Sequence, residues 1–452
     1  MKFLKILGSA FLLLVSLAII VWCGYFLWSA LPREQAAPAV LSTEQLFMAS
    51  EQEQPAEPAV EAPPEEVPEE LPEEIPEEIP EEAPVELPEA VPEEVPEALP
   101  EESEPASDFT EQARAYLETM SLEEKLWQLF LVTPEALSGE SLYATDTTKT
   151  ALTEKPVGGV VYFASNIQDR EQTVNLLYNT QSYARTPLFL AVDEEGGQVS
   201  RVGANAAMGV THLPAAATYG ETGDLAGVYD AGSTLAAELG ELGFNLDFAP
   251  VADIITNPNN TEIGNRAYSS DPNTAAALVK AMTQGLQENG MAACLKHFPG
   301  HGSTEADSHE GKSVSARTVD ELRTGEWIPF QAGIDAGAAF VMVGHQTNAN
   351  LSPFPASLSP VVMAYLRTEL GFDGLIVTDS LQMGAIVYYY TSAQAAVMAI
   401  QAGADLLLMP NDLQTAFDGL KAAVEDGSIT EKRIDESVLR ILRTKYEFGI
   451  LS

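Results

Sequence analysis

Strand-length apolar runs recur through most of the chain, alanine-rich helical patterns separate most of them, and a chemically capable side chain follows almost every run. Together these three observations predict an α/β fold, a single (β/α)8 TIM-like barrel occupying residues 108–452. Ahead of it the sequence predicts a cytoplasmic tip and transmembrane signal anchor in residues 1–31, then a disordered acidic Pro/Glu-rich linker in residues 32–107.

The anchor comes first. Lys2 and Lys5 precede an uncharged run of about 26 residues, 6–31, longer than the roughly 20 needed to span hydrocarbon. Trp28-Ser29-Ala30 is a poor signal-cleavage site, and bulky Val21 and Trp22 stand where a lipidated Cys23 would need small neighbours. Lysines on the cytoplasmic side place the remainder outside, so a single-pass protein of the cell membrane with an extracytoplasmic folded domain is expected.

Residues 65–102 repeat with a period of four, as in Leu71-Pro-Glu-Glu. A proline every fourth position excludes helix and central strand, and the glutamates repel one another, so an extended rod is expected. At about 3.1 Å per residue it reaches roughly 120 Å, a stalk rather than a Pro-rich ligand. The formal charge of -44, from 67 acidic and 23 basic residues, excludes nucleic acid as a natural partner. Cys23 and Cys294 make no disulfide framework, and a monomer is expected.

Within the folded part, Ser121 and Glu124 have capping-box spacing at the head of a helix. Strands are expected at 159–163, 188–192, 244–251, 292–295, 340–343, 375–377 and 405–409, with an eighth hidden near 129–132. Helices are expected at 274–288, 393–402 and 435–448. Asp193, Asp253, Lys296 with His297, His345 and Asp379 each follow one of these runs. Parallel barrels gather their reacting groups at that end, so one cavity could hold all of them. An open doubly wound sheet would show a Gly-rich phosphate loop, and Glu195-Gly-Gly-Gln lacks its spacing.

Residues 292–312 carry the densest chemistry. Three of the five histidines in the chain, His297, His301 and His309, fall there with Lys296, Glu305 and Asp307. Pro299, Gly300 and Gly302 force a loop. His297, His301, Asp307 and His309 are metal-ligand types, but their rhythm is loose for zinc and Lys296 would oppose a cation, so no metal and no cofactor is expected. No Gly-x-Ser-x-Gly elbow, phosphate loop or polar cysteine is present, which disfavours acyl and phosphoryl transfer. Glycosyl transfer by a carboxylate nucleophile and a proton donor remains.

Lys296-His-Phe-Pro-Gly-His-Gly302, Asp307-Ser-His309, Val192-Asp-Glu-Glu-Gly-Gly-Gln-Val-Ser-Arg201 and Val377-Thr-Asp-Ser-Leu-Gln-Met383 resemble glycoside hydrolase family 3, the bacterial β-N-acetylglucosaminidase (β-hexosaminidase) type. The similarity covers residues 120–451, and Gly158-Gly-Val-Val-Tyr-Phe163, Phe248-Ala-Pro-Val-Ala-Asp253, Asn265-Arg-Ala-Tyr268 and Leu370-Gly-Phe-Asp-Gly374 match in order. The resemblance implies a retaining exo-enzyme acting on terminal β-linked N-acetylhexosamine, with peptidoglycan fragments as the substrate source. It makes Asp379 the nucleophile and His309 the acid/base tuned by Asp307. Asp193, Arg201, Arg266, Lys296 and His297 match its sugar-binding positions, while His301 reads as loop structure or a supporting group and His345 as pocket wall.

The chain departs from the family at Glu310-Gly-Lys-Ser313, where relatives carry a Leu-Pro pair, and in ending after the 435–448 helix with no second sandwich domain expected. A phosphorolytic transferase or β-glucosidase on the same fold, and a non-catalytic glycan-binding surface protein, are the alternative classes.

Overall fold

A computed structural model describes residues 108–304 and 313–452; the expected membrane helix and stalk lie outside the described residues. Among the described residues no helix is long and apolar enough to cross a membrane. The strands are β1 (Phe130–Val132), β2 (Gly159–Tyr162), β3 (Phe189–Val192), β4 (Leu246–Asp247), β5 (Ala292–Phe298), β6 (Phe340–Val343), β7 (Leu375–Thr378) and β8 (Leu407–Leu408). They form one eight-stranded sheet in which chain order is spatial order from β1 to β7 and β8 lies beside β1. Every neighbouring pair is parallel. A parallel bridge from Val377 to Leu406 brings the two edges together, so the sheet is a nearly closed barrel. Their residues are all buried, as near-continuous apolar runs require of a parallel sheet covered on both faces.

Two strands differ from expectation. β4 pairs only over Leu246–Asp247, since Pro250 has no N–H to donate, and the line resumes as an isolated bridge from Val251 to Lys296. β5 conversely runs through Lys296 and His297 to Phe298, so both charged positions lie inside the strand. The segment after β4 keeps offering partners: Ala252 N–H donates to Lys296 O (2.7 Å) and Lys296 N–H to Pro250 O (3.3 Å).

The helices start where their caps place them. α1 (Leu122–Gln128) has the expected reciprocal box, Ser121 N–H to Glu124 Oε2 (2.8 Å) and Glu124 N–H to Ser121 Oγ (3.3 Å). α2 (Pro272–Gln287) begins two residues before the expected start because Asp271 accepts from Thr274 N–H (2.8 Å) and Pro272 sits in the first turn. α3 (Ser392–Ala402), α4 (Leu413–Glu425) and α5 (Glu431–Glu447) follow, and Trp127 of α1 stacks on Phe417 of α4 with centroids 3.9 Å apart.

At the strand N-termini the barrel encloses a lysine. Lys445 of α5 is fully buried, donates from Nζ to Gln128 Oε1 (2.8 Å) and lies 5.1 Å from the Phe189 ring centroid. No carboxylate accompanies these contacts, and burial pushes its amine down to about 7. A folded value below the unfolded one near 10.4 means the native state binds fewer protons between those values, so stability rises with pH across that window and is lowest below it. Urea unfolding at pH 7 and pH 9.5 is expected to show wild type gaining roughly 3 kcal/mol relative to Lys445→Met between those two values; parallel curves for the two proteins would refute it.

Candidate active site

The strand C-termini surround a hollow of about 790 Å³ whose lining includes Asp193, Arg201, Arg266, Lys296, His297 and Asp379. Residues scattered over the chain meet there because each leaves the barrel at the same end. Asp193 directly follows β3, and Asp379 directly follows β7. The Asp379 N–H donates to Val343 O (2.9 Å), so the backbone of β6 holds its position, and its Oδ1 accepts from Ser380 N–H (2.7 Å).

Lys296 organises the floor. Its Nζ lies 2.7 Å from Asp193 Oδ1 and 2.6 Å from Glu195 Oε1, with the amine almost wholly buried. Arg266 grips the same Glu195 with two parallel bonds, Nε to Oε2 and Nη2 to Oε1, both 2.8 Å. Burial alone would push Glu195 up, but the Lys296 and Arg266 charges overcome it and hold the carboxyl at about 2. Burial would likewise lower Lys296, yet Asp193 and Glu195 raise it above the usual lysine range. The site is thus a fixed, ionised lattice. Arg201 joins at longer range, Nη2 to Asp193 Oδ2 at 3.9 Å, with its guanidinium 5.7 Å from the Phe163 ring centroid.

Behind this lattice, two further carboxyls behave oppositely. Burial raises Glu194, which accepts from Ser200 Oγ and from Val202 N–H (2.7 Å), and raises Asp247 well above its ordinary range. Alternate residues of the Asp193–Glu195 turn therefore face the hollow or the interior. Gly197 turns the chain back at φ +57 to form the Glu194–Gly196 and Val199–Ser200 hairpin that delivers Arg201.

A second lattice holds the histidines. Asp253, fully buried, accepts from His297 N–H (3.0 Å), from the His297 ring at Nδ1 (2.7 Å) and from His301 N–H (2.7 Å). Burial would raise its carboxyl, but His297 and His301 bring it below its ordinary value. Gly302 is required here, since a Cβ would collide with the Ile254 carbonyl. His301 lines the hollow while its Nδ1 meets Thr304 Oγ1 (3.1 Å), and burial lowers it. His345 is not in the wall as expected. It lies behind the Asp379 turn, with Nδ1 2.7 Å from Ser357 Oγ and Nε2 2.8 Å from Ser380 O.

Asp307 and His309 lie outside the described residues. The described flanks are held on both sides: Thr304 O accepts from Asn260 Nδ2 (3.1 Å), and Ser313 O accepts from Thr347 N–H (2.8 Å).

Sequence reasoning missed Glu195, Glu262, Phe163 and Met409 in the lining. Glu195 had a signal, an acidic residue two positions beyond β3 and just before Gly-Gly, which was read only against a phosphate loop. Met409, directly after β8, has φ 49, a left-handed value at a non-glycine position in the wall. Asp253 was visible as a strand-end carboxylate, but its role as a histidine anchor was not.

The model of the family described as "Glycosyl hydrolase family 3 N terminal domain" matches residues 121–444. A Beta-hexosaminidase of Nitrosomonas eutropha is 36% identical over 279 residues, covering 60% of this chain and 79% of that protein. The chain spans about half, 53%, of Beta-hexosaminidase A of Pseudoalteromonas piscicida, at 32% identity over 64% of this chain. Among solved structures, the glycoside hydrolase family 3 beta-N-acetylglucosaminidase of Paenibacillus sp. str. FPU-7 superposes with a TM-score of 0.70 at 37% identity, covering 74% of this chain and 63% of that one.

Proposed function

The chain belongs to glycosyl hydrolase family 3, and from that premise we propose that it is a membrane-tethered, retaining exo-β-N-acetylglucosaminidase that releases terminal β-linked N-acetylhexosamine, with extracytoplasmic peptidoglycan fragments as the source. The observation that carries the reading is the placement of Asp379 in the same hollow as the Lys296, Arg266, Glu195 and Asp193 lattice. A carboxylate at a strand end, its Oδ1 positioned by the Ser380 N–H, is where a nucleophile is needed, and immobile charged groups grip sugar hydroxyls without reorganising.

In the first step the Asp379 carboxylate attacks the anomeric carbon as the glycosidic oxygen leaves with a proton from His309. In the second, His309 takes a proton from water, the water oxygen bonds to the anomeric carbon, and the Asp379 ester bond breaks. Two inversions give net retention. Asp307 orients the His309 ring and stabilises its charged form, and an imidazole suits both steps because its ordinary pKa is near 6.5. Asp193, Arg201, Arg266, Lys296 and His297 hold the sugar. The tether and the outside location rest on the 6–31 run and the 65–102 repeat.

The test is turnover of an aryl β-N-acetylglucosaminide by the full chain in detergent, beside the matching β-glucoside, with and without inorganic phosphate. Selective release of the N-acetyl sugar, β on first appearance by proton NMR and unaffected by phosphate, is expected. Sugar 1-phosphate as product would make it a phosphorylase, preference for the glucoside a β-glucosidase, and no turnover by folded protein would overturn the reading.

A further inference from the structure

Beside the hollow of the proposed reaction lies a second one of about 370 Å³, and Val387 and Tyr388 line both. The two differ in chemistry. The first is walled by acidic and basic groups, among them Asp193, Glu262, Arg201 and Lys296. No Lys, Arg, Asp or Glu lines the second, whose walls are Leu381, Ile386, the Tyr388–Tyr390 triplet, Thr391, Gln394 and Asn411 with their neighbours.

The triplet fills the connection between two helices. A one-turn helix, Gly384–Val387, ends at Tyr388, and Thr391 caps α3 by a reciprocal box with Gln394. Tyr389 N–H and Tyr390 N–H both donate to Ile386 O (2.9 Å each), so the turn is held by its own backbone. Three tyrosines in so short a connection cannot all turn inward. Tyr390 packs against the core, while Tyr388 stays 67% and Tyr389 48% exposed. Adjacent exposed rings at the mouth of a hollow mark a place where a ligand covers them.

We propose that this second hollow binds a neutral sugar of the leaving group, the unit one removed from the cleaved bond, by stacking its C–H face on the Tyr388 and Tyr389 rings; the proposal rests on the hydrolase reading above. Continuity through Val387 and Tyr388 puts the hollow next in line after the cleaved bond. Uncharged walls fit a neutral hexosamine and offer nothing to a carboxylate or phosphate. A volume near the lower end of small-ligand sites suits one sugar ring rather than a protein segment. A lipid surface would call for basic residues, and none lines the hollow. Rigid aromatic rings give contact area at little ordering cost, and hydroxyl and amide groups such as Thr391 and Asn411 answer the sugar hydroxyls.

The experiment measures kcat/KM of the full chain for the β-1,4-linked dimer and trimer of N-acetylglucosamine. The dimer fills the first hollow and its exit; the trimer adds the unit in question. Wild type is expected to favour the trimer about fivefold, Tyr388→Ala and Tyr389→Ala each to bring the trimer-to-dimer ratio toward one, and the Phe variants to keep it, because the ring face and not the hydroxyl does the stacking. Dimer turnover with a wild-type ratio near one, or with a ratio unchanged in both Ala variants, overturns this inference and leaves the hydrolase reading standing. Failure of wild type to cleave the dimer and trimer while it turns over the aryl β-N-acetylglucosaminide overturns this inference alone, and failure on the aryl substrate as well overturns that reading and this inference with it.

Discussion

An Asp379→Ala variant of the full chain is expected to turn over an aryl β-N-acetylglucosaminide about 10⁴-fold more slowly than wild type, nearly all of it in kcat. The carboxylate forms its bond to carbon only as the reaction proceeds, so its loss removes transition-state stabilisation and leaves ground-state binding to the Lys296 and Arg266 lattice. The fold should survive. The backbone of Asp379 is tied to β6 through Val343 O, a bond the substitution does not touch, and the side chain is only partly buried. Steady-state rates with a urea midpoint for each protein decide the matter. A residual rate within tenfold of wild type would remove Asp379 from the nucleophile's role and shift it to another carboxylate of the same hollow, Glu262 or Asp193.

The barrel was readable because parallel strands buried on both faces leave unbroken apolar runs, and each run predicted at residues 340–343 or 375–377 appears as β6 or β7. Where the reading slipped, a single residue explains it. Pro250 cut β4 short by withholding an N–H, whereas Lys296, whose charge looked like the end of a strand, stays inside β5 because two carboxylates 103 and 101 positions away receive it. The same separation hid Glu195. Its meaning depends on Arg266, 71 residues later, and local patterning holds no trace of a partner at that distance. His345 was misplaced for the opposite reason: strand-end position correctly put it on the right face of the barrel but could not say whether its ring turned to the hollow or to Ser357 and Ser380.

Lys296→Met should combine a large stability loss with weak substrate binding. Among the described residues Lys296 is the cation that touches both Asp193 and Glu195, so its removal strands buried negative charge that, among those residues, Arg266 and the distant Arg201 are left to answer. Breaking a buried pair from one side costs roughly 3–5 kcal/mol, mostly the penalty of the charge left behind. The pH dependence identifies that charge. Glu195 sits at about 2 in the native state against about 4.3 unfolded, so its contribution is present above pH 4.3 and is lost as pH falls toward 2. The deficit of Lys296→Met relative to wild type is therefore expected to shrink as pH falls from 6 to 3, because without the Lys296 charge the buried Glu195 of the variant takes up its proton at a higher pH than that of wild type, measured as the difference in urea unfolding free energy at pH 6, 5, 4 and 3. A deficit independent of pH over that range would mean that lost packing of the lysine stem, not the stranded Glu195 charge, accounts for the instability.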